Sequence, residues 1–393
     1  MALHPQPSMT PYRLPKQYRK SFMSSRIPPK PKRSASSSQI VLASRKHYAV
    51  IGAGMAGVVC ARTLQQAGHQ VTVIEAQPQV GGRMASRHSA HGSFDVGAQF
   101  FTVRDPRFQL ALDTTPNVTR QWSVNAIRTL DATGKVAVTT QRGMEAHLIG
   151  VPTMDSLLAS WAAPLDVRLN EYALAFERDA LNPSQWQLRT EDIDGGVHVY
   201  AGLDGVVLAI PSPEAQELLA DSETHVPDDW QLSDVYIAPS WTLLLTFAHA
   251  VDPGITNMGP QWNAARTEHP RITWLSRESS KPGRGKVERW TVQASPDWAR
   301  KHENDEPQRV AAKMLQAFSE LTRIRATPSD IRVVQWGYAK TINPLPKDAK
   351  GQPRSHLWNA TSAIGLCGDW CLGYRVEDAF VSGLELALAV LGE

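Results

Sequence analysis

From His47 onward the chain alternates short apolar runs with longer stretches of helical spacing. His47–Ile51 is an apolar run of strand length. Past the glycines that follow it, Val58, Ala61, Leu64 and Ala67 recur every three residues and predict one face of a helix, with Gly68 as its C-cap. Val71–Ile74 predicts a second buried strand, which ends at Glu75. Near the other end, Ala363–Cys367 predicts a strand. A helix follows from about Val376, with Ala379, Phe380, Gly383, Leu384, Ala387 and Leu391 on its apolar stripe. Glu377 and Asp378 fall in its first turn, where the helix dipole favours acids. Between these ends, Leu203–Ile210 predicts a strand leading into Pro211-Ser212-Pro213. Trp241–Phe247 and Glu288–Gln293 predict antiparallel strands, and Arg309–Leu321 a helix. The length of 393 residues suggests two domains, and the alternation of elements suggests an α/β class.

The first unit has the order strand, glycine turn, helix, strand, acid. In Gly52-Ala53-Gly54-Met55-Ala56-Gly57, Gly52 permits the turn, Gly54 lets backbone approach a pyrophosphate, and Gly57 lets helix and strand pack closely. The helix N-terminus offers unpaired N–H groups to phosphate. Glu75 stands where a carboxylate accepts ribose hydroxyls, and an acid there disfavours an NADP 2′-phosphate.

Two further features separate FAD from NAD. Val80-Gly81-Gly82-Arg83-Met84 suits a long folded cofactor, with Arg83 able to bond a phosphate or a neighbouring carboxylate. Gly368-Asp369-Trp370, ahead of the final helix, sets Asp369 against a ribityl chain and the helix N-terminus against the flavin carbonyl region. These two modules lie at opposite ends of the chain, so the cofactor domain is expected to be discontinuous.

Charge changes the picture only at the start. Residues 1–46 hold ten Lys or Arg and no acid; the rest carries 31 basic and 38 acidic side chains, a net of −7. A mildly acidic body argues against nucleic-acid binding. The basic, Ser- and Pro-rich stretch 1–45 reads as a disordered tail, an upstream extension from a misplaced start, or an organellar transit peptide. Three cysteines, Cys60, Cys367 and Cys371, cannot build a disulfide framework and point to a reducing compartment. No apolar run is long enough for a membrane span, and no metal site is expected. The localisation expected is cytoplasmic, or organellar if the tail is a transit peptide.

The chain resembles the renalase-type branch of the FAD-dependent amine oxidase superfamily from about His47 to the end. The resemblance is carried by Val50–Gly57 with Glu75, Gly81–Met84, and Phe94-Asp95-Val96-Gly97-Ala98-Gln99-Phe100-Phe101-Thr102. It continues in Pro239-Ser240-Trp241-Thr242, Trp290 with Ala294-Ser295 and Trp298, Trp336–Ala339, and Gly368–Cys371 through Arg375-Val376-Glu377. It implies a Rossmann-type FAD-binding domain of the p-hydroxybenzoate-hydroxylase-like fold with a second α+β substrate domain, and non-covalent FAD. The activity implied is oxidation of misreduced nicotinamides, the 2- and 6-dihydro isomers of NAD(P)H, with oxygen becoming hydrogen peroxide. Carried over by position, the cofactor contacts are Ala56, Glu75, Ala76, Arg83, Gly97, Ala98, Asp369 and Val376, beside the turn glycines Gly52, Gly54 and Gly57. The substrate contacts are Gln99, Phe100, Phe101, Thr102, Val103, Thr242 and Arg375. The loop before Arg375, Gly373-Tyr374, is shorter than in the bacterial members. The expected division is 46–103, 151–229 and 355–393 for FAD, and 104–150 and 230–354 for substrate.

Hydride transfer to a flavin asks mainly for positioning, and no catalytic residue is assigned. Phe100, Phe101, Trp241, Trp336 and Tyr338 are the candidate flat walls for a nicotinamide ring. Lys340 is a candidate water-holding lysine, and Cys371 a candidate for covalent flavin attachment. The alternatives are a flavin amine oxidase, a small-molecule desaturase, and a flavin-bearing sensor without turnover.

Overall fold

The computed structural model describes residues 45–122, 127–137, 145–222, 224, 226–248, 260 and 262–392. The stretch 1–44 lies outside them, so the expectations placed on the tail fall outside the described residues.

The fold is mixed α/β around a six-stranded sheet. Its order is Leu357–Asn359, Ile364–Leu366, Gly205–Leu208, His47–Ile51, Gln70–Glu75, Asp166–Leu169. Every neighbouring pair is parallel except the first. Val50 pairs with Val207 on one side and Val73 on the other, and Val207 pairs with Gly365. These central strands are almost entirely buried, as apolar runs without alternation require when helices cover a sheet.

The helices Met55–Gln66 and Val376–Leu391 pack against each other on this sheet. Their approach rests on Gly383, where a Cβ would stand 2.2 Å from the Ala56 carbonyl oxygen. The first and last parts of the sequence therefore meet. Leu203–Ile210 is not one strand: Val197–Leu203 belongs to a three-stranded antiparallel sheet with Glu171–Arg178 and Trp186–Asp192, and Gly205–Leu208 belongs to the parallel sheet. The break is at Asp204, whose carboxylate accepts the His47 N–H at 2.7 Å and turns the chain between sheets.

A second six-stranded sheet has the order Asp330–Asn343, Tyr236–Phe247, Glu288–Ala294, Ile272–Arg277, Ala264–Thr267, Ile127–Leu130. One face carries Trp241, Leu243, Leu245, Trp290, Val292 and Leu275, packed beneath the helix Pro307–Thr322 through Val310, Met314 and Phe318. The opposite face, offset by one residue on each strand, looks toward the segment Asp95–Phe101. Among the described residues no helix is long and apolar enough to cross a membrane.

Candidate flavin and substrate site

The glycine turn after His47–Ile51 is built for close approach. A Cβ at Gly57 would lie 1.9 Å from the Gly52 carbonyl oxygen, so no larger residue fits without moving the turn. Glu75 closes the other side: its carboxylate accepts Ala53 N–H at 2.7 Å and Gln77 N–H at 2.9 Å. Burial raises its pKa, and these two N–H bonds oppose the rise. The helix starts at Met55 without a side-chain cap, which leaves first-turn N–H groups for an anion. This donor set, with a carboxylate fixed at the end of the second strand, fits a dinucleotide.

The second glycine pair is tied to the first. Gly81 N–H donates to the Ala53 carbonyl at 3.0 Å, and Ala98 N–H donates to the Arg83 carbonyl at 2.8 Å. The Arg83 guanidinium forks onto Asp369, Nη1 to Oδ2 at 2.8 Å and Nη2 to Oδ1 at 2.5 Å. Two residues 286 positions apart thus join the two cofactor modules. Of the two partners expected for Arg83, this structure supplies the carboxylate. Gly52, Gly54, Ala56, Gly57, Glu75, Arg83, Gly97, Ala98 and Asp369 therefore form one connected region. Ala76 is exposed just beyond Glu75, and Val376 begins the final helix.

The second sheet holds Val96–Gly97 from its inner face. Thr242 Oγ1 donates to the Val96 carbonyl at 2.9 Å and Trp336 Nε1 to the same oxygen at 3.2 Å. Gln293 Nε2 donates to the Gly97 carbonyl at 2.6 Å. Register sets these in one row across four strands: Thr242 opposite Gln293, Gln293 opposite Trp274, Trp274 opposite Arg266. Trp274 meets Phe100 at 5.6 Å between ring centroids, and His147 meets Phe100 at 4.2 Å. Burial, aided by Arg266, lowers the His147 pKa and favours the neutral ring.

The expected substrate residues divide sharply. Phe100 and Thr102 are part-buried on this wall. Phe101 is turned into the core, 5.6 Å from Phe108, which stacks in turn on Phe380. The Gln99 amide curls back, donating to the Asp95 and Gly97 carbonyls and accepting from Lys281. Thr242 is buried with its hydroxyl engaged on Val96. Val103 lines a cavity of about 390 Å³ together with Leu112, Thr115, Thr119, Glu145 and Leu148.

Arg375 is exposed at the start of the final helix. Asp378 bonds its backbone N–H at 2.9 Å rather than its guanidinium, which enters no ion pair among the described residues. Glu377 instead reaches back to Arg104 N–H and Asp105 N–H, at 2.5 and 2.7 Å, and pins the loop beyond Val103.

Three of the other candidates lie away from the wall. Trp241 is on the opposite sheet face from Thr242, buried with its Nε1 on the His302 carbonyl, because neighbouring strand residues face opposite ways. Lys340 is exposed with its ammonium over the Tyr374 ring at 4.6 Å. Cys371 is buried in the turn Asp369–Cys371, and burial pushes its thiol pKa to about 12, which disfavours the thiolate. Sequence reasoning missed Gln293, Trp274, Arg266 and His147.

It also missed a cluster of charges beneath the wall. Lys281 Nζ, fully buried, donates to Asp95 Oδ2 at 2.9 Å, Glu278 Oε1 at 2.8 Å and Gln99 Oε1 at 3.1 Å. Arg284 Nη2 adds bonds to both Asp95 oxygens. Burial would raise the Asp95 pKa, but Lys281 and Arg284 outweigh it and hold it low. For Glu278, burial wins and the pKa rises.

Comparison with known proteins agrees with this geometry. A family model described as flavin containing amine oxidoreductase matches residues 55–198. The match begins at Met55, just past Gly52 and Gly54, and takes in Gly57, Glu75, the Gly81–Arg83 loop and the Asp95–Val103 segment. A protoporphyrinogen-oxidase-type protein from Exiguobacterium sp. 255-15 superposes with a TM-score of 0.65 at 14% identity, covering 89% of this chain and 100% of that one. Putrescine oxidase with bound putrescine gives 0.66 at 12% identity, covering 89% and 99%. The chain has the flavin amine oxidase fold. Sequence likeness to curated flavoenzymes is confined to short segments. An L-amino-acid oxidase of Siganus canaliculatus is 44% identical over 54 residues, 13% of this chain and 10% of that protein. A 4,4'-diapophytoene desaturase of Staphylococcus haemolyticus is 44% identical over 57 residues, 14% and 11%. The match spans about a tenth of the length of these relatives. The chain is thus similar to flavoproteins of this superfamily over residues 55–198 and shares their fold.

Proposed function

We propose that this chain is an FAD-dependent oxidase of the renalase type. Its substrates are misreduced nicotinamide dinucleotides, 2- or 6-dihydroNAD(P); its products are NAD(P)+ and hydrogen peroxide. The observation that carries this reading is the inner row Thr242–Gln293–Trp274–Arg266 beside Phe100. It is uncharged and aromatic where a ring would lie, and it ends in a cation. A planar nicotinamide with an anionic phosphate tail matches that order. A cationic amine gains nothing from it.

The cofactor reading rests on the residues joined by the Arg83–Asp369 pair. The helix N-terminus at Met55 and the Gly81–Arg83 loop would hold the pyrophosphate, Glu75 the ribose, and Asp369 with the start of the final helix the flavin end. A bound flavin supplies a hydride acceptor and passes the electrons to oxygen. The chain's own part is placement. Thr242, Trp336 and Gln293 fix Val96 and Gly97, and Phe100 with Trp274 offers a face for the substrate ring. Glu377 keeps the following loop closed on the final helix. The exposure of Arg375, which enters no ion pair among the described residues, supports a role for it in meeting a phosphate.

A flavin amine oxidase is the second reading. It is favoured by Asp113 and Glu145 in the cavity beside Val103, which suit a cationic substrate. Against it, Arg104 already neutralises Glu145 through two bonds of 2.7 and 2.9 Å. Anaerobic mixing of the purified yellow protein with each class decides the matter. Bleaching by 2- or 6-dihydroNAD(P) and not by amines is expected. Bleaching by amines alone establishes the second reading, and no bleaching by either leaves a flavin protein without turnover.

A further inference from the structure

Two ring nitrogens at the wall have no use within the described protein. His147 Nδ1 and Trp274 Nε1 are both buried and neither has a hydrogen-bond partner among the described residues. Each orphaned group costs about 1–3 kcal/mol, so two on one aromatic neighbour call for a ligand or water. The neighbour is Phe100, which touches both rings. Trp274 sits in the row that holds Val96 and Gly97, next to Gln293. The pair therefore borders the segment on which the substrate reading rests.

The two atoms differ in kind. Indole Nε1 only donates. A neutral imidazole with its proton on Nε2 offers Nδ1 as an acceptor. The geometry points to His147 and Trp274 as a recognition pair for the primary carboxamide of the substrate, the carbonyl oxygen accepting from Trp274 Nε1 and the amide nitrogen donating to His147 Nδ1. A primary ammonium donates only and leaves Trp274 unpaired. A carboxylate accepts only and leaves a neutral His147 unpaired. A carboxamide does both, through one rigid planar group. Both nitrogens are shielded from solvent, so admission of the group requires the Phe100 ring to turn while still bordering the substrate ring. This assignment rests on the dihydronicotinamide reading and adds the selection among pyridine substituents.

The test uses the flavin-loaded full chain and two probes, 6-dihydroNAD and its 3-acetylpyridine counterpart, which keeps the carbonyl and lacks the amide N–H. Dissociation constants come from anaerobic flavin reduction. They are paralleled by flavin spectral titration with NAD+ and 3-acetylpyridine adenine dinucleotide, which needs no turnover. Wild type is expected to favour the carboxamide about tenfold, the worth of one buried hydrogen bond. His147→Phe abolishes the preference, His147→Asn restores part of it through its side-chain oxygen, and Trp274→Phe weakens both probes alike. A His147→Phe protein that keeps its flavin and its preference overturns the inference. So does a wild type without preference, as when one water satisfies both nitrogens; in either case the dihydronicotinamide reading survives. Failure of both probes to bleach wild type removes that reading and the inference with it.

Discussion

Lys281→Met removes a cation from a place water does not reach. The wild-type ammonium meets Asp95, Glu278 and Gln99 at 2.8–3.1 Å, and the side chains of Lys281 and its two ionised partners, Asp95 and Glu278, have no exposed surface. The two carboxylates lose unequally. Asp95 keeps Arg284, at 2.7 Å and 3.0 Å. Glu278 keeps no ion pair among the described residues, and its Oε2 is already without a partner. The cheapest escape is for Glu278 to take up a proton. From its ordinary 4.5, neutralisation at about pH 7 costs about 3.4 kcal/mol at 1.36 kcal/mol per unit. With the lost hydrogen bonds the expected destabilisation is about 3–5 kcal/mol, the range for a broken buried pair.

The sign with pH follows from Glu278. Its folded pKa is raised, so its contribution is full below 4.5 and falls as pH rises toward and through the folded value. Asp95 works in the opposite sense, but its lowered pKa places the loss below its ordinary 3.8. The gap between wild type and Lys281→Met should therefore shrink by at most about 2.7 kcal/mol between about pH 7 and pH 5, and by less to the extent that the wild-type Glu278 pKa is already raised. Urea unfolding of wild type, Lys281→Met and Lys281→Met/Glu278→Gln at both pH values measures it. The double variant should regain most of the loss and show no pH-dependent gap. A gap that does not change with pH, or one below about 1 kcal/mol, refutes the placement of an uncompensated charge on Glu278.

Three other outcomes are expected. Gly57→Ala should yield a protein that purifies without visible flavin absorbance, because its Cβ would collide with the Gly52 carbonyl at 1.9 Å and spread the turn. Asp369→Asn breaks the fork from Arg83 and should raise the flavin dissociation constant about tenfold or more, measured by fluorescence of released flavin. Cys371→Ser should keep its flavin, and acid precipitation of wild type should release all of it. The buried thiol, pushed up to about 12, should resist neutral-pH alkylation until the protein unfolds.

The dinucleotide unit was legible because all its parts lie between His47 and Glu75, each with its own local signal. The final helix was legible for the same reason, and its meeting with the first was expected from the two modules sharing one cofactor; the structure shows that meeting as close packing of Gly383 on Ala56. The wall was not. Gln293, Trp274 and Arg266 come from three strands and become neighbours only through register, which periodicity does not set across long connections. Trp241 and Thr242 are both apolar-compatible in a strand, and nothing local chooses which one faces the helix Pro307–Thr322. The register shift between Ala238 and Ser240 blurs the phase further. Lys281-Pro282-Gly283-Arg284 has the composition of an exposed turn. Asp95, placed against it from a distant segment, pairs with both cations and draws that sequence inward.

The placement of Ile364–Leu366 beside Gly205–Leu208 has a bearing on biosynthesis. A ribosome makes the glycine turn early and the partner for Arg83 more than 280 residues later. A nascent chain thus displays a half-built cradle for most of its synthesis. If Asp369 and the terminal helix hold the flavin end as proposed, loading would wait until they have emerged, and a chain clipped shortly before them would be a colourless species.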